Sequence, residues 1–330
     1  MKKYYEEVDI LRGIAIILVL LGHSIIVFPV NLNDIPWCGT LHDLASSVHL
    51  PLFFLSSGFC FSYRGYPDLL RRKTPRLLIP YLVFTTLNLA AELLLPTLVN
   101  EPKPLGELLL NYVTGGAEWF LYTLMIVFLL FPLLIMLGKR KGGTAAACMF
   151  LLGLYLYPAW PVVCNLDRLA KYFLYFAAGY VIRTNKESGG KLYFSVEKRI
   201  GRPLLSLAAF LLWIGWFFVT RLITIPVLGR ASALATACCG MIFWLTLALA
   251  LSGTKHGHRL AEVGKYSLQL YLFNGYLLTV SRTVLVNILG VTSPLLIIFG
   301  NLLVILGISY LLIRTVVAKV KLLRFLTGII

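Results

Sequence analysis

Ten runs of apolar residues, separated by short polar breaks, order this chain from residue 10 to residue 317. They are Ile10–Val30, Leu44–Tyr63, Leu77–Leu98, Trp119–Leu137, Thr144–Tyr157, Leu169–Ile182, Pro203–Thr220, Ala231–Leu251, Tyr266–Val280 and Leu295–Val317. Most approach the roughly 20 residues that a helix needs to cross a bilayer. The fifth, sixth and ninth are shorter and admit a different tilt, extension or partial re-entry. The pattern predicts an all-α fold: a polytopic transmembrane helical bundle of about ten helices, residues 1–330 forming one domain without a separate soluble one. Composition agrees, because 59% hydrophobic and 13% charged residues with a mean hydropathy of +0.84 exclude an ordinary soluble domain. Ile10–Val30 is too long for a signal-peptide core and lacks a small-residue cleavage site, so it reads as a retained span.

The net charge of +16 changes meaning once it is placed on the spans. With the N-terminus inside, 24 of the 30 Lys and Arg fall in cytoplasmic segments, leaving Lys103, Arg168, Lys171, Arg221, Arg230 and Arg282 outside. That bias is the positive-inside pattern, and an even span count puts both termini in the cytoplasm. The external stretch Asn31–Asp43 carries no Lys or Arg, and Val99–Glu118 carries one Lys against three acids. Arg183–Arg202, the longest polar stretch, reads as an interfacial basic segment. The charge thus describes topology and contact with anionic membrane lipids, with no nucleic acid partner. A multi-pass protein of a bacterial cytoplasmic (plasma) membrane is the expectation. Without a convincing repeat pair, an inverted-repeat transporter gains no support.

Six cysteines (Cys38, Cys60, Cys148, Cys164, Cys238, Cys239) show no metal-type spacing, and no metal site is expected. Most sit in apolar runs as small hydrophobes. Cys38 and Cys164 both fall in segments placed outside, which leaves a disulfide between them open.

Three polar clusters interrupt the apolar pattern. In the first span, Asp9, Arg12 and His23 share one helical face, since eleven residues make three turns plus about 20°. His23 lies roughly 16 Å deeper than Arg12 at ~1.5 Å per residue. Arg12 alone reads equally as a residue snorkelling to the interface. A deep imidazole needs a partner or a wet cavity and is a functional candidate. In the second span, His49 precedes Ser57 and Gly58; the glycine permits close helix packing, and His49 alone is equally an interfacial histidine. If the two spans pack antiparallel, both imidazoles lie in the outer half at similar depth. The third cluster is Arg71-Arg72-Lys73-Thr-Pro-Arg76, whose plainest reading is topological. Arg72 and Arg76, four apart, would share a helical face able to grip phosphates. Glu118, Trp119 and Tyr122 stand at the external mouth of the fourth span, where the aromatics are either belt anchors or sugar-contacting residues.

Taken in order, these pieces resemble the acyltransferase 3 family of integral membrane acyltransferases, and within it the stand-alone fucose 4-O-acetylase-like branch. The resemblance rests on Asp9-Ile-Leu-Arg12 through His23, His49-Leu-Pro-Leu-Phe-Phe-Leu-Ser-Ser-Gly-Phe59, Arg72-x-x-x-Arg76, Trp119-Phe-Leu, and Gly264-Lys-Tyr-Ser-Leu-Gln-Leu-Tyr-Leu-Phe-Asn274. Family members often carry a histidine where this chain has Asn274, which hydrogen-bonds but exchanges no proton near neutral pH.

The resemblance implies O-acyl transfer, acetyl or another short acyl, from cytosolic acyl-CoA to a hydroxyl of an extracytoplasmic or lipid-linked glycan. No cofactor is expected to be bound permanently; acetyl-CoA is a donor substrate. Arg12, Arg72, Lys73 and Arg76 would receive its anionic end at the cytoplasmic mouth, and Trp119 and Tyr122 would contact the acceptor. The catalytic candidates are His23, as general base or as carrier of an acyl-imidazole, with His49 and Glu118. Asp9 would hold Arg12, with Ser57 and Gly58 as structural support. The partner that orients His23 is open, Glu118 being one candidate. The competing readings are a transporter or glycan-exporting permease, and a non-catalytic partner in glycan assembly.

Overall fold

The computed structural model describes residues 4–27, 29–94, 104–188 and 203–329. Lys2, Lys3, Lys103, Leu95–Leu98 and the later part of Arg183–Arg202 lie outside these. Among the described residues all regular structure is helical. Among the same described residues, six stretches are long and apolar enough to cross a membrane: Glu6–Ile26, Tyr66–Leu94, Leu105–Gly138, Pro203–Leu222, Pro226–Leu251 and Pro294–Val317.

Helix α1 (Glu6–Ile26) is the hub. Glu6, Glu7 and Asp9 lie in its first turn, where negative charge complements the positive helix end. It packs against α2 (Pro36–Ser46), α3 (His49–Phe59), and, later in the chain, α11 (Pro226–Leu251), α12 (Lys255–Lys265), α13 (Ser267–Thr283) and α14 (Pro294–Leu312). The remaining elements are α4 (Tyr66–Lys73), α5 (Ile79–Leu94), α6 (Leu105–Thr114), α7 (Trp119–Gly138), α8 (Gly143–Leu156), α9 (Leu166–Glu187), α10 (Pro203–Leu222) and α15 (Lys321–Leu326). Of these, α7, α8 and α9 pack on one another and α9 lies along α3, while α10 pairs with α11.

Three departures from the hydropathy pattern have identifiable causes. The run Leu44–Tyr63 is not one helix: the chain breaks at Ser47–Val48 between α2 and α3, and Trp213 Nε1 donates to Ser47 Oγ at 3.0 Å. The short sixth run grows into the 22-residue α9, because its charges are absorbed by the protein. Lys186 pairs with Glu7 at 3.0 Å, and Arg183 with Glu187 at 2.8 Å. Third, a π-turn over Thr74–Leu78 joins α4 to α5. Pro75 has no N–H to donate inside this turn, which widens the helix and offsets α5 by about one residue relative to α4.

Helix α1 approaches α12 backbone to backbone. A Cβ on Gly264 would sit 1.8 Å from the Asp9 carbonyl oxygen, and one on Gly13 would sit 2.3 Å from that of Leu260. Such contacts are open only to glycine. Gly264→Val is expected to destabilise the bundle by about 1–3 kcal/mol, read as a lower unfolding midpoint in nanodiscs. An unchanged midpoint would show that the two helices part without cost.

Candidate functional site

A cavity of about 550 Å³ runs along α1 and is walled by α3, α5, α7 and α13. Helix α1 contributes Arg12, Val19 and His23, spaced seven and four apart, which is one helical face. From α3 come His49, Phe53 and Ser57, with Cys60 beyond its end, again at helical spacing. Helix α7 and its cap give Glu118, Trp119, Phe120, Leu124 and Phe128, while α13 gives Ser267, Gln269, Tyr271 and Asn274 to Tyr276.

The cavity is polar at its two ends, with apolar side chains such as Leu124 and Phe128 between them. At one end stand Arg12, Lys73, Arg76 and Lys265. Arg12 carries an ion pair to Asp9 at 3.2 Å, and the Lys73 ammonium lies 3.6 Å from the centre of the Phe128 ring, in the field of Arg12 and Arg76. At the other end stand His23, His49, Asn88, Glu118 and Asn274. Four walls give the same separation. Arg12 to His23 and Cys60 to His49 are eleven residues, Arg76 to Asn88 is twelve, and Phe128 to Glu118 is ten. Each corresponds to roughly 15–18 Å of helix.

Both imidazoles are held in the same way. His23 Nδ1 lies 2.9 Å from the Val19 carbonyl oxygen, four residues back on its own helix. His49 Nδ1 lies 2.8 Å from the carbonyl oxygen of Ala45, across the break between α2 and α3. A carbonyl only accepts, so each ring donates from Nδ1. The neutral ring then keeps a lone pair on Nε2, the form a base requires.

Glu118 is engaged elsewhere. Its Oε1 accepts from Asn88 Nδ2 at 2.8 Å. Asn88 Oδ1 in turn accepts from the Tyr276 hydroxyl. Asn274 is 3% exposed, and its Oδ1 has no hydrogen-bond partner.

Of the residues marked from sequence, Arg12, His23, His49, Ser57, Lys73, Arg76, Glu118 and Trp119 converge on this cavity. Arg72 does not line it. Its guanidinium pairs with Asp68 at 2.6 Å and donates to Ser62 Oγ and Ser62 O at 3.0 and 2.9 Å. The π-turn explains the difference, because with the register shifted Lys73 and Arg76 face the cavity together instead of Arg72 and Arg76. Tyr122 also lies off the cavity, with its ring against Gly115 and 5.8 Å from that of Tyr81. Trp119 reaches the cavity, but Arg168 lies over its ring at 4.3 Å and Tyr172 stacks near-parallel at 6.0 Å. A sugar stacked flat on it competes with these contacts. Gly58 serves packing, since a Cβ there would lie 1.9 Å from the Phe176 carbonyl oxygen. Cys38 and Cys164 are unbridged.

Asn88 and Tyr276 escaped the sequence reading, while Lys265 and Tyr271 stood in its late motif without an assigned role. Asn88 had a signal: it is a lone amide in an apolar run, twelve residues from Arg76, echoing the Arg12–His23 spacing.

Residues 5–314 match the protein family described as Acyltransferase domain. The chain is also similar to the nodulation protein NolL of Mesorhizobium japonicum, 25% identical over 221 residues. That alignment takes in 63% of this chain and 55% of the relative, so the match spans little more than half the relative's length. No solved structure matches.

Proposed function

The chain belongs to the acyltransferase family whose pattern it follows from residue 5 to residue 314, and on that footing we propose that it moves an acetyl or other short acyl group from cytosolic acyl-CoA to a glycan hydroxyl. The observation that supports this most is the one cavity joining a cation cluster to two imidazoles. In this reading the cationic end faces the cytoplasm, as the positive-inside pattern expects of a ten-span bundle in a bacterial cytoplasmic membrane. Arg12, Lys73 and Arg76 bind the phosphates of the acyl-CoA, with Lys265 beside them. The pantetheine arm lies along the apolar middle, past Leu124 and Phe128, and brings the thioester to His23. Only the acyl group passes to the far side.

His23 Nε2 takes the proton of the acceptor hydroxyl as its oxygen attacks the thioester carbonyl. The tetrahedral intermediate then collapses, the C–S bond breaks, and the departing thiolate takes the proton back from the imidazolium. Val19 O, rather than Glu118, sets the tautomer that this step needs. His49 offers a second acceptor nitrogen to the hydroxylic substrate. In the covalent variant, Nε2 of His23 carries the acyl group and transfers it in a second step.

Arg76→Ala is expected to raise KM for acetyl-CoA by about tenfold or more, the loss of one charge-assisted contact. Arg72→Ala, remote from the cavity, is expected to change it much less. Equal effects would return both arginines to a topological role. Cys60 supplies a direct reporter, because its exposed thiol lies at the cationic end. Acetyl-CoA is expected to shield it from maleimide, read by peptide mass spectrometry. Unchanged labelling under saturating donor would place acyl-CoA elsewhere.

A further inference from the structure

A second recess opens beside the cationic end of the cavity. It is a groove of about 790 Å³ between the start of α1 and α12, and Lys265 lines both spaces. Each acid of the groove already has a partner. Glu6 accepts from Ser252 Oγ and Gly253 N and pairs with His258, Glu7 pairs with Lys186 at 3.0 Å, and Glu262 faces Arg314 at 3.8 Å. Two of its cations are uncommitted. Lys255 and Arg259 are exposed, four apart on one face of α12, and have no ion-pair partner among the described residues. Arg259 is six residues from Lys265, about 9 Å along the helix and within reach of two long side chains. The free charge of the groove is therefore positive, and it continues the cluster of Arg12, Lys73 and Arg76 past Lys265.

We propose that this groove is the subsite for the 3′-phosphate on the ribose of acyl-CoA, held by Arg259 and Lys255. The inference rests on the donor reading given above. With the thioester at His23 and the diphosphate bridge at Arg12, Lys73 and Arg76, the adenosine and its separate phosphate must lie beyond the cavity. Lys265 stands where the two spaces meet, between the diphosphate and the 3′-phosphate. A ribose monophosphate is close to doubly charged at neutral pH and offers several strong acceptor oxygens, which suits a pair of uncommitted cations. Phosphates of anionic lipid headgroups offer similar oxygens from the membrane side. The continuity through Lys265 favours the nucleotide.

The test compares acetyl-CoA with acetyl-dephospho-CoA, which lacks only the 3′-phosphate. The full chain is held in nanodiscs of neutral phosphatidylcholine and, separately, of anionic phosphatidylglycerol. The readout is the donor concentration that half-protects Cys60 from maleimide, so no acceptor is needed. On wild-type protein in neutral discs, acetyl-dephospho-CoA is expected to need about tenfold more, the loss of a charge-assisted contact. Lys255→Ala combined with Arg259→Ala is expected to weaken protection by acetyl-CoA about tenfold and by acetyl-dephospho-CoA less than about twofold. The wild-type comparison of the two donors stands by itself should the double variant fail to fold. Equal protection of wild-type protein by both donors overturns the subsite and leaves the donor reading in place. So does a double variant that weakens both donors alike. An effect of the double variant confined to anionic discs assigns the two cations to lipid headgroups and overturns the inference. Protection by neither donor overturns this inference and the donor reading together.

Discussion

His23→Ala is expected to abolish acyl transfer, by at least ~10²–10⁴-fold, the usual contribution of a positioned general base. The protein should remain inserted and folded, because the imidazole's hydrogen bond is to its own helix, at Val19 O. His23→Gln sharpens the result. Its amide can still donate a hydrogen bond but cannot take and return a proton at neutral pH, so it should be as inactive as the alanine variant. Acyl-CoA should still shield Cys60 in both, since the cation cluster lies eleven residues away at Arg12. Incubation with acetyl-labelled donor alone separates the two chemistries: label retained on wild-type protein and lost in His23→Ala marks the acyl-imidazole route. Full glycan acylation by His23→Ala would remove the imidazole from the reaction.

Arg282→Met is expected to be the most destabilising single change outside the cavity. Arg282 is fully buried at the end of α13, and its guanidinium donates to the carbonyl oxygens of Ser24, Ile25 and Val30. It closes the C-terminal end of α1, where unpaired carbonyls and the negative helix end favour a cation. Methionine keeps the bulk but strands those acceptors, at a cost of about 3–5 kcal/mol. Ser24 is the next residue after His23, so kcat should fall even in the fraction that folds. Thermal unfolding in nanodiscs and residual thiol release read both effects. A wild-type midpoint would show that the α1 terminus finds other donors.

The apolar runs made the all-helical fold legible, because helices of that length leave a plain hydropathy trace. They hid what depends on backbone detail. The Ser47–Val48 break is invisible to hydropathy, since both flanks are equally apolar. Pro75 was in view, yet its consequence, a register shift that exchanges Arg72 for Lys73 beside Arg76, needs the geometry of the turn. The eleven-residue interval from Arg12 to His23 was readable from one helix alone. Its repetition on three other walls was not, because nothing in a linear sequence says that Asn88, Glu118 and His49 meet. Arg282 looked like an external charge, and only the fold shows it buried against a helix end.

The tether of His23 has a consequence for genetics. In a catalytic triad the residue that orients the base is a side chain, and a saturation screen finds it as a sensitive position. Here that partner is the peptide oxygen of residue 19, present whatever side chain stands there. Exchanges at Val19 that preserve the helix keep that oxygen in place and act only through the cavity wall and core that its side chain forms, so the screen should return a sensitive histidine without a matching acid. Only a change to the backbone itself, such as a one-residue insertion between 19 and 23, would expose the missing member.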